Sequence, residues 1–141
     1  MRVRQIVTVL LALGGLAIAQ DGPPLIDATD QAAIKANDGK TIILRGKVVS
    51  AEWSNSGAVL VIEFENTSGV MAAAFEKSRK KLDDAFNGDY AKSLAGATVR
   101  ITGKLQPYGG KADKYKDALE VIVWDITQTT ILELPATDPT P

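Results

Sequence analysis

The sequence predicts a mainly β domain closed into a small, strongly curved barrel. Two observations predict it. The first is a repeated segment: Gly39-Lys40-Thr41-Ile42-Ile43-Leu44-Arg45-Gly46-Lys47-Val48 returns as Gly96-Ala97-Thr98-Val99-Arg100-Ile101-Thr102-Gly103-Lys104-Leu105. Each copy reads glycine, a turn residue, threonine, then alternating apolar and polar residues into Gly-Lys-apolar. Period-two alternation marks a strand with one buried face. A glycine inside it marks a bulge, a bend or a close backbone approach. The second observation is the order of elements: three strands, a helix, then two strands.

The elements follow in chain order. Residues 20–27 contain glycine and proline and read as an N-terminal tail. Residues 28–38 read as a short helix that Thr29 or Asp30 caps, ended by the Asn37-Asp38-Gly39 turn. The first strand covers about 40–53, with Ile42, Leu44, Gly46 and Val48 on one face. Ser54-Asn55-Ser56-Gly57 is a hairpin turn. The second strand, about 58–65, alternates Leu60, Ile62 and Phe64 against Val59, Val61 and Glu63. Asn66-Thr67-Ser68-Gly69 is the next turn, and Met71, Ala73 and Phe75 alternate in a third strand over about 70–75. Leu82, Phe86, Tyr90 and Leu94 then recur every four residues, a helical period, interrupted at Asn87-Gly88. A fourth strand covers about 97–106 and a fifth about 118–124, separated by a long charged loop from Pro107. Residues 128–134 pair as a final short strand, and the Pro/Thr-rich tail 135–141 is expected to be disordered. This is the order of a five-stranded Greek-key barrel of the OB type, with the helix between strands three and four. An antiparallel sandwich with an inserted helix is the plain alternative.

Composition narrows the chemistry. Among 141 residues there is no cysteine and no histidine. That removes a thiol nucleophile, an imidazole base and a Cys/His zinc site. Carboxylate-only calcium or magnesium sites remain conceivable, but the acidic residues are scattered, and Glu63 with Glu65 lacks a third clustered acid. No catalytic constellation is visible, so no enzyme activity and no cofactor are expected. Residues 1–19 carry Arg2 and Arg4, an apolar run from Ile6 to Ile18 and a small-x-small ending, Ala17-Ile18-Ala19. That is the pattern of a cleaved secretory signal peptide, too short in its apolar stretch for a spanning helix. The expected organisation is a signal peptide at 1–19, an N-terminal segment with a short helix at 20–34, the barrel at 35–134 and the tail. The mature chain is expected as a secreted or periplasmic monomer. Without Arg2 and Arg4 its 16 basic residues fall to 14 against 17 acidic ones, a net charge of −3. A dedicated nucleic-acid binder is usually basic, so such binding would need a local patch.

Over residues 35–133 the chain resembles a family of small bacterial secreted or multidomain proteins that carry an OB-fold module. The resemblance lies in Gly39-Lys40 to Lys47-Val48, in Ser56-Gly57 to Phe64, and in Gly96 through Lys104-Leu105-Gln106-Pro107-Tyr108-Gly109-Gly110-Lys111. Glu120-Val121-Ile122-Val123 and Asp125-Ile126-Thr127-Gln128 complete it. Ala97 stands where the pattern has lysine, Ile126 where it has proline, and Ala112 to Asp117 lengthen the last loop. The resemblance implies a module that is nucleic-acid-binding-like by fold.

OB-folds bind oligonucleotides and oligosaccharides with the loop between strands four and five, the loop between strands one and two, and the face of strands two and three. In that last loop Tyr108 and Tyr115 alternate with Lys111, Lys114 and Lys116, aromatics to stack bases and lysines to hold phosphates. Arg45, Lys47, Arg100 and Lys104 point outward from neighbouring strands and, with Trp53, make a cationic, aromatic surface that Glu52, Glu63 and Glu65 partly neutralise. Lys77, Arg79, Lys80 and Lys81 read as a solvated helix face because Asp83 and Asp84 follow. Trp124 reads as a core or rim packer. The expected ligand is single-stranded nucleic acid or another anionic polymer; the alternative is a protein partner.

Overall fold

The computed structural model describes residues 22–65 and 69–135. The expected signal peptide at 1–19, most of the turn expected at Asn66-Thr67-Ser68-Gly69 and the expected tail beyond Pro135 lie outside the described residues. Among the described residues there are seven strands: β1 (Leu25–Asp27), β2 (Thr41–Trp53), β3 (Val59–Phe64), β4 (Val70–Phe75), β5 (Thr98–Pro107), β6 (Leu119–Val123) and β7 (Thr129–Glu133). Three α-helices lie between them: α1 (Gln31–Ala36), α2 (Glu76–Ala85) and α3 (Tyr90–Leu94). The strands run β1-β2-β3-β4-β6-β5-β7, and a β2–β5 ladder closes the central five into a barrel. The β4–β6 pairing is parallel and the other barrel pairings are antiparallel. This is an OB-fold, mainly β, with the helical segment between the third and fourth barrel strands.

The sequence repeat acquires a geometric meaning here. The two copies are the two strands of the closing ladder. Leu44 pairs with Ile101, Ile42 with Gly103, and Gly46 with Val99. Corresponding positions of the two copies are therefore related by a local twofold through the Leu44–Ile101 pair. Inward residues of both strands, Ile42, Leu44, Val48, Val99, Ile101 and Leu105, are fully buried.

β2 carries one irregularity in its pairing. It lies at a register shift between Val48 and Ser50, where β2 leaves β5 and takes up β3. Gly46 and Gly103 serve close approach instead. A Cβ on Gly46 would sit 2.8 Å from the Phe64 ring and 2.9 Å from the Ala28 methyl; on Gly103 it would sit 2.6 Å from Val121 Cγ1. Neither glycine has a positive φ, so packing rather than backbone freedom requires them.

Two expectations are corrected. Residues 25–27, read as tail, form β1, which pairs parallel with β2 at Leu25–Ile43, Ile26–Leu44 and Asp27–Arg45. The segment before residue 35, read as separate from the barrel, supplies core: Ile26, Ala28 and Ile34 are buried in the same cluster as the barrel interior. Asp30 caps α1 by accepting the Ala33 N–H. The helical stretch does break at Asn87 and Gly88, both at positive φ. Asp89 then caps α3, which brings Tyr90 and Leu94 into the core.

β4 has two buried faces. Val70, Ala72 and Ala74 join the barrel core, while Met71 and Ala73 join a second cluster with Tyr115, Ala118 and Ile122. The loop 108–118 folds over the outer face of the sheet and creates this cluster. That cover explains why β4 is an unbroken apolar run, in the manner of a doubly buried strand.

Candidate binding site

The outer face of β3 and β4, half covered by the 108–118 loop, carries an apolar concavity. Its volume is about 410 Å³, and Val59, Val61, Met71, Ala73, Phe75 and Tyr108 form its apolar wall. Lys111 and Glu120 also line it. A neighbouring depression of about 400 Å³ is more polar, bordered by Glu52, Trp53, Glu63, Lys114 and Tyr115.

The loop is held by specific contacts. Tyr108 N–H donates to Ala118 O at 3.0 Å, and the Tyr108 and Tyr115 rings meet edge to face with centroids 5.3 Å apart. Ala112 N–H donates to the Tyr108 hydroxyl. A Cβ on Gly110 would overlap that hydroxyl, so glycine lets the loop close over the ring. Tyr115 is only 9% exposed, and its hydroxyl donates to Glu63 Oε2. The Lys114 ammonium lies 2.9 Å from the same oxygen. Tyr115 was expected as an open stacking platform. The structure places it as the loop's anchor, with Tyr108 more exposed beside the cavity. Lys114 is engaged with Glu63, while Lys111 stands at the cavity rim.

These contacts set a pH window. The Tyr115 hydroxyl and then the Lys114 ammonium hold the Glu63 carboxyl below its ordinary value. Burial, then the hydrogen bond to Glu63, pushes Tyr115 up to about 12. The carboxylate's contribution is present above its unfolded pKa and lost as pH falls through its depressed folded value. The phenol's contribution is present below about 10 and lost as pH rises toward 12. Thermal melts of Tyr115→Phe should therefore match the parent more closely at both pH extremes than at neutrality. A parent-to-variant gap that stays constant across pH would refute this coupling.

The cations of the closing ladder and those of α2 form two further groups. Arg45 faces Arg100 across the β2–β5 ladder, Lys47 faces Thr98, and Lys104 faces Thr41. Arg45 is drawn to Asp27 on β1 at 3.7 Å. Arg45 and Lys47 line a separate depression with Asp27, Thr29 and Glu65. Trp53 takes the Arg79 guanidinium 4.5 Å from its ring centroid.

The α2 cations are partnered. Arg79 pairs with Asp83, Lys80 with Asp84 and Lys81 with Asp125, while Lys77 lies over Trp124. Trp124 packs on Phe75 at the rim and remains 45% exposed. The closing Asp125-Ile126-Thr127-Gln128 motif also finds its reason. Gln128 accepts the N–H groups of Trp124 and Asp125 and donates to the carbonyls of Thr102 and Ile122.

Sequence reasoning missed the wall residues Val59, Met71 and Phe75 and the buried Glu120. The available signal was a lone carboxylate inside the apolar run from Ala118 to Val123. Among the described residues no three acidic side chains group closely enough to hold a metal ion, and no helix is long and apolar enough to cross a membrane.

No protein-family model matches the chain, and no curated protein does. Solved structures do. An aspartyl-tRNA synthetase from Entamoeba histolytica superposes with a TM-score of 0.56 at 16% identity, over 94% of this chain and 26% of that one. An asparaginyl-tRNA synthetase from Pyrococcus horikoshii gives 0.52 at 19% identity, over 82% and 24%. One from Entamoeba histolytica gives 0.52 at 20% identity, over 79% and 24%. The chain thus spans about a quarter of the length of the solved proteins it matches. At these identities the likeness is one of fold, and the fold is the OB barrel.

Proposed function

We propose that this chain is a non-catalytic binding module, exported behind its residue 1–19 leader, that holds single-stranded nucleic acid or another anionic polymer. The strand lies across the outer face of β3 and β4, beneath the 108–118 loop. One observation carries this reading. The apolar, Tyr108-walled cavity with Lys111 at its rim occupies the face and loop that OB barrels use for oligonucleotides. The fold likeness to aminoacyl-tRNA synthetases supports the same direction. A protein partner is the second reading, and Glu52, Glu63 and Glu120 on the same face favour it.

A labelled single-stranded oligonucleotide titrated at low salt separates the two. Binding should weaken steeply with salt. Tyr108→Ala/Lys111→Ala should lose about 1–3 kcal/mol for the unstacked base and lower the salt slope by about one unit or less. If the parent does not bind, or the double variant binds equally at every salt concentration, the protein-interaction reading replaces this one.

A further inference from the structure

Glu120 occupies a position where the fold asks for an apolar side chain. It pairs with Met71 on β4 and Gln106 on β5, and the outer-face neighbours Met71, Ala73 and Ile122 are apolar and buried. Glu120 itself is only 6% exposed and lines the cavity. Its Oε2 accepts two long hydrogen bonds, from Gly109 N–H at 3.3 Å and from the Gln106 amide at 3.4 Å. No described residue donates to Oε1, and no described cation pairs with the carboxylate. Burying a carboxylate is costly unless it is paired, and a methionine or leucine would pack here without that cost. An acceptor oxygen left unclaimed in an apolar cavity has the character of a group that reads a ligand.

We propose that Glu120 determines base preference: its carboxylate, with Oε1 unclaimed, accepts from the N1–H and exocyclic amine of one unstacked guanine seated against Tyr108 and Phe75. This rests on the nucleic-acid reading above. The choice of base follows from the donors each presents. Guanine offers two adjacent donors on its pairing edge. Adenine and cytosine offer one amine beside an acceptor nitrogen. Thymine offers one N–H between two carbonyl oxygens, which repel a carboxylate. A cavity of about 410 Å³ falls within the ~300–1,000 Å³ of small-ligand pockets. Lys111 at its rim attracts the nucleotide's phosphate and repels a cationic peptide side chain, which would otherwise suit the same carboxylate.

The test compares labelled oligothymidylate with the same strand carrying one central dG, one dI or one dA. The parent should bind the dG strand about tenfold more tightly than oligothymidylate, as one bidentate contact warrants. Inosine, which lacks the exocyclic amine, should lose most of that gain without any change to the protein. Glu120→Gln should abolish the dG preference, so that the variant binds the dG strand no more tightly than oligothymidylate. Equal affinity for dG and dT strands in the parent, or a preference that survives Glu120→Gln, overturns the inference while leaving nucleic-acid binding intact. Absence of binding to every strand overturns both readings. Binding of a labelled arginine-containing peptide, lost in Glu120→Gln, would assign the cavity to a protein partner.

Discussion

Gly103→Val should cost the barrel about 1–3 kcal/mol, the range for overpacking a close-packed interior. Strand propensity alone argues the opposite, because valine is among the best strand residues and glycine among the poorest. The geometry decides the sign. The new Cβ would lie 2.6 Å from Val121 Cγ1 and 3.3 Å from Gln128 Nε2. Val121 belongs to β6, which pairs with β5 at Leu105, so it can retreat only by opening that junction. Gln128 holds the carbonyls of Thr102 and Ile122, so moving it leaves backbone acceptors unmet. Gly46→Val should be costly for the same reason, since Phe64 and Ala28 both lie within 3 Å of the new Cβ. An exposed change such as Lys92→Ala should stay within ~0.5 kcal/mol. Chemical denaturation provides the measurement. A Gly103→Val midpoint equal to or above the parent's would mean that the barrel interior yields more freely than this packing allows.

The barrel was legible because its signal is repeated and local. Two alternating runs with glycine at the same offset define both strands of the closing ladder, and the helix between strands three and four completes the order. What the sequence concealed depends on contacts between distant segments. β1 is three residues long and has too little alternation to register as a strand; only β2 beside it makes it one. The doubly buried β4 hides which of its faces points inward, because the loop that covers its outer face lies more than thirty residues further on. The candidate site was legible in part for the same reason. Tyr108 and Lys111 are placed by the loop that names them. Tyr115 looks like a free aromatic until Glu63, on β3, takes its hydroxyl. The cationic strands lie where alternation puts them, outward on the closing ladder, yet alternation cannot say that β1 supplies Asp27 to Arg45. Glu120 is the opposite case, a residue whose oddity is visible in the sequence and whose meaning needs the cavity.

Ile34→Ala should lose about 2–5 kcal/mol, the range for truncating a fully buried aliphatic side chain, although Ile34 lies outside the segment whose pattern announces the barrel. It is 1% exposed and shares a single core with Leu44, Val99 and Phe64. Its helix is short, six residues, far below the length at which a helix is stable in water alone. Packing therefore holds α1 in place, and α1 in turn covers part of the core. The chain before it is stitched to β2 by Ala28 N–H to Arg45 O and by Ile43 N–H to Pro24 O, each 2.8 Å. Those bonds fix the Ala28 methyl over Gly46, so the N-terminal segment and the first strand glycine are parts of one packing arrangement. A chain beginning at residue 37 should consequently fail to show a cooperative melt, because removing Ile26, Ala28 and Ile34 opens the core. If that shortened chain instead unfolded cooperatively near the parent's midpoint, β1 and α1 would be an appendage to a self-sufficient five-stranded barrel.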